Sequence, residues 1–441
     1  MARNILAAPT VPLPAIDRVV EVPVVGRHGS ICSAPGYHAG ARVFYQPTDG
    51  FVVPAIANEP TDAEIATART LICEELLGDF PFVGDPERAH AVALFLLPFV
   101  RDLIDGPTPL HVIEKPMAGT GATLLADVLM RPALGRSLPA MTAGRDGDEW
   151  RKRITAALGE SPAAILWDNA SRLDSDELAA ALTATTWRDR PLGATRLVHL
   201  PVRCCWIATA NNPALNVEIV RRTVRIRLDA GTDRPWMRDG FRHPDLGAWT
   251  QAHRGELVAA ALTLARAWIV RNQPGGPSRR LGTFESWSHV LGGILHIAGN
   301  PGFLANVLTF YEATADDELR AWHGLVEAWW RVHGSAAVGV REIWNVVQTE
   351  HIDLDLGEKT EKSQRTRLGK QLAKMRDRVF DGRRVQTAGK DGRAGVQLYR
   401  LVGATQTDVA DVDEGDGGDG GDPPPADVAD LADVSPPRTR E

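Results

Sequence analysis

The chain has 441 residues, a formal net charge of −7 and an average apolar content, which together allow two or three domains with their own cores. Its four cysteines are neither spaced for a zinc site nor numerous enough for a disulfide framework, so we expect a reduced, cytoplasmic protein. The most apolar run, 89–100, is too short to span a bilayer, so we expect a soluble protein without a membrane partner.

The amino-terminal part shows short strand patterns followed by two helices. The strand patterns, separated by turns rich in Gly, Pro and Asp, lie at 19–25, 43–45 and 50–53. They predict a small β-hairpin region. Thr61 or Asp62 is placed to cap a helix that runs through residue 77, and 86–103 predicts a second, strongly apolar helix.

Strand and helix patterns alternate in the middle of the chain. Short apolar runs bounded by turn residues lie at 110–113, 164–167, 197–201, 204–209 and 224–228. Helical patterns between them lie at 124–130, 148–158 and 175–183. This alternation predicts an α/β layer with a mostly parallel sheet.

The last third of the chain is predicted to be helical, then mixed, then disordered. Helical periodicity, which predicts an all-α segment like a lid, is found at 246–270, 284–297, 302–308 and 316–333. Helices at 337–347 and 361–380, followed by a hairpin at 383–401 with a glycine-rich basic tip, are typical of a winged helix. The segment 403–441 is rich in Asp, Gly, Pro and Ala, so we expect a disordered acidic tail.

Charge is strongly polarised at the carboxyl terminus. Residues 359–400 hold thirteen Lys or Arg and four Asp or Glu, whereas 403–441 hold eleven acids and two arginines. The basic part predicts DNA phosphate contacts, although a charged solvated face is the alternative. The expected contact residues are Arg365, Arg367, Lys370 and Lys374 on a helix, and Arg383, Arg384, Lys390 and Arg393 on the wing. The acidic tail can then compete with DNA for this surface.

The segment 111–127, HVIEKPMAGTGATLLAD, has the shape of a phosphate-binding P-loop. Against the pattern G-x-x-x-x-G-K-[ST], Pro116 replaces the first glycine and Ala122 replaces the lysine. Backbone amides and the helix amino terminus can still bind phosphate, but the missing charge matters most during phosphoryl transfer. The residues expected to bind ATP phosphates are Lys115, Pro116, Gly119, Thr120, Gly121, Ala122 and Thr123. An ordinary strand–turn–helix corner is the alternative.

Polar residues follow the later strands at suggestive spacings. Asp168 ends an apolar strand 47 residues after Gly121, where P-loop ATPases place the acid that holds Mg²⁺ opposite the P-loop Ser or Thr, here Thr123. The next residue is Asn169, where a second acid usually polarises the attacking water. Asn211 ends another strand, and Arg221 and Arg222 follow about ten residues later. A helix cap, a turn and a solvated surface are the respective alternatives.

Four ordered segments, 116–127, 163–169, 206–213 and 220–229, resemble the AAA+/superfamily-three-type helicase ATPase domain of primase-helicase and replication proteins from actinobacterial phages and mobile elements. The resemblance covers roughly residues 16–334. It implies an ATP- and Mg²⁺-dependent DNA motor that forms a ring, which we expect to be a hexamer. In that family Asn211 would be the sensor that positions water, and Arg221 or Arg222 would be an arginine finger for the neighbouring subunit. Ala122 and Asn169 depart from the family pattern.

Several alternatives stay open at this point. The missing lysine can be replaced by Lys115, Arg151, Lys152 or Arg153, although we expect each of these on the solvated surface. The missing acid can be replaced by Asp174, Asp176 or Glu218. The chain is then a helicase-like ATPase with slow or altered hydrolysis, a degenerate DNA-binding scaffold, or a switch set by nucleotide binding.

The resulting fold class is α/β: a P-loop AAA+ ATPase core with a helical lid, a winged helix and a disordered acidic tail. The expected domains are a β-rich region at 1–58, a helical segment at 59–108, the ATPase core at 109–232, the lid at 233–335, the winged helix at 336–402 and the tail at 403–441. The length before residue 110 is too short for a primase or polymerase domain, so we expect a separate chain to supply that activity.

Overall fold

The computed structural model describes residues 14–192, 196–276, 280–354, 356–357, 360–391 and 396–403. The chain forms two compact units, Met1–Asp317 and Glu318–Glu441. The acidic tail and Arg393, both of which carry predictions above, lie outside the described residues.

The amino-terminal segment of the first unit contains five short strands. They are β1 (Arg18–Val20), β2 (Val24–Val25), β3 (Ile31–Cys32), β4 (Gly36–His38) and β5 (Val43–Tyr45). The predicted hairpin is wrong in two respects, because β1 pairs with β5 in parallel and because 50–53 is not a strand. Phe51 instead packs under the guanidinium of Arg254, 4.1 Å from the ring centroid, so this segment is held by a helix.

Two helices follow, as predicted. Helix α1 (Asp62–Thr70) continues as a π-helical stretch (Leu71–Leu76), and helix α2 (Asp85–Val100) ends in a 3₁₀ turn (Arg101–Leu103). Thr61 is the cap: its side chain accepts from the backbone N–H of Glu64, and the Glu64 side chain in turn accepts from the Thr61 N–H. Helix α2 is buried on almost every side, as expected for a helix apolar all round.

The central part of the first unit alternates strands and helices. Its elements are β6 (Leu110–Lys115), α3 (Ala122–Leu134), β7 (Ala140–Thr142), α4 (Gly147–Gly159), β8 (Ala164–Asp168), β9 (Arg172–Leu173), α5 (Asp176–Thr183), β10 (Thr186–Asp189), β11 (Val198–Pro201), β12 (Cys205–Asn211), β13 (Ala214–Leu215), α6 (Val217–Val220) and β14 (Thr223–Arg227). A five-stranded sheet, entirely parallel, has the order β14–β6–β12–β8–β7. The predicted parallel sheet is therefore present.

Several strands differ from the prediction. Strands β7, β9, β10 and β13 were missed, and the run at 197–201 is not part of the parallel sheet, because β11 pairs with β10 in an antiparallel hairpin. The residues of β11 alternate between partly buried and exposed, whereas those of β6 and β12 are almost all buried. That contrast is what separates a hairpin with a solvated face from a strand covered on both faces.

Both faces of the parallel sheet are covered. On one face, Ile113 of β6 belongs to a core cluster with residues of α2 and α3. On the other face, Val112 belongs to a second cluster with residues of α4 and α5. Alternate residues of β6 therefore point to opposite layers.

Helices follow the sheet. They are a 3₁₀ turn (Pro235–Met237), α7 (Leu246–Ala252), α8 (Arg254–Val270), α9 (Glu285–Ile297) and α10 (Val307–His333). The helix predicted at 246–270 is interrupted at His253, and most of the one predicted at 302–308 is non-helical. Gly302 and Leu304 both have positive φ, 88° and 60°, which an α-helix cannot include. Helices α8 and α9 bury residues in the same core cluster as α2 and α3.

The second unit contains the predicted helix–helix–hairpin order. Its elements after α10 are β15 (Val338–Gly339), α11 (Val340–Thr349), α12 (Glu361–Lys374), β16 (Val379–Phe380), β17 (Arg383–Lys390) and β18 (Gln397–Gly403). The four strands form one antiparallel sheet in the order β15–β18–β17–β16. Helix α12 ends six residues before the predicted residue 380. Leu368 and Leu372 of α12 share one core with residues of α11 and with Leu401 of β18. This arrangement is consistent with a winged helix.

Over the described part of the chain, no helix is both long and apolar enough to cross a membrane.

Candidate functional site

Three neighbouring strands of the parallel sheet end in polar residues at one edge. Strand β12 lies between β6 and β8, and Asn211 at its end is paired in register with Lys115. Trp167, the residue before Asp168, is paired with Ala208. Because the strands are parallel, Lys115, Asn211 and Asp168 all lie at the carboxyl edge, where ligands bind in open α/β sheets.

A glycine-rich turn connects β6 to α3 at this edge. Gly119 and Gly121 have φ angles of 83° and 99°, in the left-handed region that side chains rarely adopt. A Cβ atom on Gly119 would lie 2.9 Å from the Cβ of Trp236, so this turn also needs glycine for space. The turn is therefore consistent with a P-loop-like core, and it presents the amino terminus of the 13-residue helix α3.

Thr120, which we expected at the phosphates, has a different partner. Its hydroxyl donates to the carbonyl oxygen of Met117, 2.8 Å away, and the residue is buried. The side chain therefore braces the turn from within. Pro116 and Ala122 add no polar side chain, so the groups that the turn offers to a phosphate are backbone amides.

The carboxylate of Asp168 is held by hydroxyl groups. Thr123 and Thr209 both donate to its Oδ1, at 2.8 Å and 2.6 Å. The structure thus brings together Thr123 and Asp168, the two residues expected to hold Mg²⁺. Thr209 was missed by the sequence analysis. Its position two residues before Asn211, on the strand next to Asp168, was the available signal.

Asn169 also belongs to this cluster. Its Nδ2 donates to Asp168 Oδ2 at 3.1 Å, and its backbone N–H donates to Thr209 Oγ1 at 2.9 Å. Its backbone has a positive φ of 51°, which asparagine tolerates better than most residues. Asn169 therefore orients the carboxylate, and as an amide it cannot accept a proton as a carboxylate does.

Asn211 and Asn212 differ although both are exposed. Asn212 accepts a hydrogen bond from the Arg227 Nη1 at 3.2 Å, and its backbone N–H donates to the Lys115 carbonyl at 3.3 Å. For the side chain of Asn211, no hydrogen bond to another described residue is formed. Asn211 is thus the amide at this edge that is available to a ligand or to water.

Position 122, where a P-loop carries its lysine, is buried in this structure. Ala122 is 1 % exposed and belongs to the core cluster under α3. Lys115 is only 6 % exposed, so the expectation that it lies on the solvated surface is wrong. The physical reason is that its strand is covered on both faces to its last residue.

The other basic candidates for replacing the lysine are engaged on the surface of α4. Arg151 donates to Asp189, Lys152 to Glu149, and Arg153 to the carbonyl of Thr142. The candidate acids are engaged as well: Asp174 pairs with Arg172, and Glu218 pairs with Arg221 and Arg222. Asp176 lies exposed in the first turn of α5.

Arg221 and Arg222 lie far from this edge within the same chain. They precede β14, and the Arg222 carbonyl accepts from the N–H of Leu110, the first residue of β6. They are therefore at the amino edge of the sheet, opposite Lys115 and Asp168. Both line a cavity of about 400 Å³ with Arg280, Leu308 and Tyr311. The structure does not bring them to the P-loop turn.

A loop after β14 covers the P-loop turn. Trp236 of this loop touches the Gly119 position and is itself exposed. Two hydrogen bonds to Asp79 hold the loop. The Arg238 Nη2 donates to the Asp79 carbonyl at 2.8 Å, and the Arg242 N–H donates to the Asp79 carboxylate at 2.7 Å. Trp236 was missed by sequence reasoning, since a single tryptophan carries no signal of its neighbour.

The hairpin of β10 and β11 carries exposed charge. Arg188, Arg190 and Arg196 are exposed, and no ion pair forms between them and a described residue. Leu192 and Leu197 are also exposed, at 87 % and 58 %. This hairpin is a basic, partly apolar projection that the sequence analysis did not assign.

In the second unit, the predicted DNA-binding residues of α12 fall into two groups. Lys370 and Lys374 are exposed, and neither forms an ion pair with a described residue. Arg365 forms an ion pair with Glu361 at 3.8 Å, and Arg367 donates to the carbonyl of Leu356 at 3.0 Å. Arg367 therefore holds the preceding loop. Lys362, which was not predicted, is also exposed on α12.

The wing residues also differ from one another. The guanidinium of Arg383 lies over the ring of Trp330, 5.2 Å from its centroid, and Arg384 is partly buried on the same strand. Lys390 is exposed at the end of β17. The described wing thus offers Lys390 most openly to a partner.

The fold and this edge define the first unit as a mixed α/β structure whose parallel sheet is consistent with a P-loop-like core. No family model matches the chain, and no curated protein matches it. Among solved structures, the chain is similar to the JCV helicase, in a crystal structure with N-(4-(2-(thiazolo[5,4-c]pyridin-2-yl)phenoxy)phenyl)acetamide bound. The identity is 14 %, the TM-score is 0.26, and the match covers 57 % of this chain and 66 % of that chain. A likeness this distant carries no information on activity.

Proposed function

We propose that the protein is a helicase-like AAA+ ATPase that binds ATP with Mg²⁺ at the carboxyl edge of β6, β12 and β8 and binds DNA. One observation carries the proposal: the hydroxyl of Thr123, at the end of the P-loop-like turn, donates to the Asp168 carboxylate at 2.8 Å. A turn and a strand end that are 45 residues apart in sequence meet, which supports a site where both would hold Mg²⁺ beside nucleotide phosphates.

The oxygen atoms at this edge fit Mg²⁺. The Thr123 hydroxyl and the Asp168 carboxylate are hard oxygen donors, and Mg²⁺ usually takes one or two such protein ligands together with water and substrate phosphates. When bound, Mg²⁺ would neutralise charge on the transferring phosphate. Thr209 and Asn169 hold the Asp168 carboxylate in place, which is the role of groups surrounding a metal ligand.

Slow hydrolysis is the second part of the proposal. Position 122 carries a buried alanine, so the usual cation at the β- and γ-phosphates is absent from the helix start. Asn169 stands where a carboxylate usually activates water, and its amide is bonded to Asp168. Asn211 remains available to position a water molecule. Binding is therefore retained while the chemical step is slowed.

DNA binding is proposed for two basic surfaces. On the second unit, a winged helix would place Lys370 and Lys374 of α12, together with Lys390 of the wing, against phosphates. On the first unit, the β10–β11 hairpin offers Arg188, Arg190 and Arg196. The named cations of both surfaces form no ion pair with a described residue, which favours a polyanion as partner.

A ring is proposed because Arg221 and Arg222 lie far from the glycine-rich turn of their own chain. Arg221 and Arg222 lie at the amino edge of the sheet, so they can reach phosphate only in a neighbouring copy. A hexameric ring, as in AAA+ helicases, would bring the two edges together. We place this motor in the replication of a phage or mobile element, with a separate primase or polymerase chain.

A second candidate function has its own observation. Ala122 is packed in the core, so the site has no space ready for a lysine side chain. This packing also fits a degenerate scaffold, or a switch that binds nucleotide without turnover. Such a protein would bind DNA and release no phosphate. The same measurements separate the two candidates.

The test compares ATP binding and DNA-stimulated phosphate release in the native chain, Ala122→Lys and Asp168→Ala. We expect measurable binding and slow release in the native chain, and loss of release in Asp168→Ala. Asp62→Ala is the control, because this exposed aspartate lies on α1 and pairs with Arg271 at 2.6 Å.

Each outcome has one meaning. Release that appears only in Ala122→Lys supports the scaffold or switch. The ATPase proposal is wrong if the native chain binds no ATP and Ala122→Lys gains nothing. Melting curves of Ala122→Lys are needed beside these measurements, because the new side chain must extend from a buried position.

A further inference from the structure

Lys115 is a buried lysine at the start of the P-loop-like turn. It is 6 % exposed, and no described carboxylate lies within ion-pair distance of its ammonium group. It also forms no side-chain hydrogen bond with a described residue. The ammonium nitrogen itself keeps contact with solvent, and without a partner among the described residues it is available to an anion such as a phosphate.

The neighbouring acid does not supply that anion. Glu114 is buried on the same strand, but its carboxylate pairs with Arg225 at 2.7 Å and with Arg227. Consecutive residues of a strand point to opposite faces, so Glu114 lies on the face of Val112 and Lys115 on the face of Ile113. Glu114 therefore pairs with the two arginines on one face of the sheet, and it does not pair with Lys115 on the other face.

The face of Lys115 is the face covered by α3. Ile113, two residues earlier, shares a core cluster with Ala122, Leu125 and Ala126 of that helix. Lys115 therefore stands beneath the beginning of α3 and next to the turn that starts at Pro116. Its flexible four-carbon stem lets the ammonium group reach toward the turn.

We propose that Lys115 supplies the positive charge at the phosphates of the bound nucleotide that a lysine at position 122 would otherwise supply. The inference rests on the proposed function and deepens it. It assigns the charge to the strand side of the turn. The chain then lacks the lysine at position 122 and keeps the positive charge, which comes from position 115.

The test uses Lys115→Met, which keeps the length and removes the charge. Binding of ATP and of inorganic tripolyphosphate, each with Mg²⁺, is measured by titration calorimetry. We expect both affinities to fall by a similar factor, about 10- to 100-fold, since a hydrogen bond to a charged group is lost. The control is Lys152→Met, because that lysine is exposed and paired with Glu149. It should bind as the native chain does.

Stability separates a ligand role from a structural one. Without nucleotide, Lys115→Met should melt at about the native temperature, because the substitution removes no hydrogen bond or ion pair to a described residue. The double variant Lys115→Met/Ala122→Lys should regain at least part of the lost affinity, because the charge returns at the usual position.

The contradicting results are distinct. Native affinity in Lys115→Met overturns the role of Lys115 and leaves the proposed function standing. A lower melting temperature with unchanged affinity for tripolyphosphate shows a structural lysine. If the native chain binds neither ATP nor tripolyphosphate, the proposed function and this inference are both wrong.

Discussion

The carboxyl edge of the first unit and helix α12 of the second use polar side chains in opposite ways. At the edge, Thr123, Thr209 and Asp168 are fixed by one another at 2.6–2.8 Å. On α12, Lys370 and Lys374 are exposed and unpaired among the described residues. A fixed cluster suits a small ligand with one geometry, whereas loose cations suit a long polyanion. Single substitutions should therefore cost much at the edge and little on α12.

The largest effect is expected for the two arginines that we propose to complete the edge of a neighbouring copy. Arg222→Ala or Arg221→Ala should lower DNA-stimulated phosphate release about 1000-fold, because an arginine finger stabilises charge in the transition state. ATP affinity should change little. Phosphate release measured by a coupled assay tests this.

Mixing identifies the origin of that effect. Inactive Arg222→Ala subunits and inactive Asp168→Ala subunits should recover part of the release when combined, because each supplies the part that the other lacks. Arg136→Ala is the control, since Arg136 is exposed and only pairs with Glu21 at 3.4 Å. Absence of recovery for both arginines would remove the ring from the account.

Acid should destabilise the first unit, and His90 alone should contribute about 3 kcal/mol to this loss. Burial lowers the pKa of His90 to about 4, although a hydrogen bond to the Arg225 carbonyl opposes this. The folded state thus keeps His90 neutral while the unfolded state takes up a proton near pH 6.5. Stability from this residue is present above pH 6.5 and is lost as the pH falls toward 4, by about 3 kcal/mol for a shift of this size.

Urea unfolding between pH 7 and 4 measures this loss. His90→Gln should reduce the dependence on pH in this range by about half, because glutamine does not titrate whereas His111, whose pKa burial lowers to about 3, still contributes. The described histidines of the second unit, His323, His333 and His351, are not buried, so its unfolding should respond less. An unchanged slope in His90→Gln would contradict the assignment.

A smaller effect tests the support of Asp168. Thr209→Val removes one of the two hydroxyls on Oδ1 and should weaken Mg²⁺-dependent ATP binding about 10-fold, as expected for a partner of a metal ligand. Titration of ATP at fixed Mg²⁺ measures it. Thr67→Val is the control, because that hydroxyl only bonds the Ala63 carbonyl on α1. Equal affinities in the two variants would show that Thr209 does not matter for the site.

The smallest effect is expected on α12. Lys370→Gln should reduce the slope of log affinity for duplex DNA against log salt by about 0.9, the value for one lost phosphate contact. Fluorescence anisotropy at several salt concentrations measures the slope. Arg367→Gln should change it less, because Arg367 bonds the Leu356 carbonyl. A larger change for Arg367 than for Lys370 would reverse the assignment of the DNA-facing side.

Much of the fold follows from local patterns. The buried runs of β6, β8, β12 and β14 and the helices between them are strong periodic signals, and the sequence limited the cap of α1 to Thr61 or Asp62, of which the structure shows Thr61. Strand β7 was missed because its residues are mostly exposed. The parallel pairing of β1 with β5 depends on long-range packing, which short strand patterns do not encode.

The candidate site was predictable in part for a physical reason. Parallel strands end at one edge, so Asp168 and Asn211 could be placed there from sequence alone. The burial of Lys115 could not be predicted, since it depends on the helices that cover β6. The contact of Trp236 with Gly119 also depends on a loop more than 110 residues away in the chain.

The most direct test of the account is a titration of the native chain with ATP, with and without Mg²⁺, beside Asp168→Ala. The account predicts saturable binding that Mg²⁺ strengthens in the native chain and no longer strengthens in Asp168→Ala. No saturable binding, or an Mg²⁺ effect of equal size in both proteins, would contradict it.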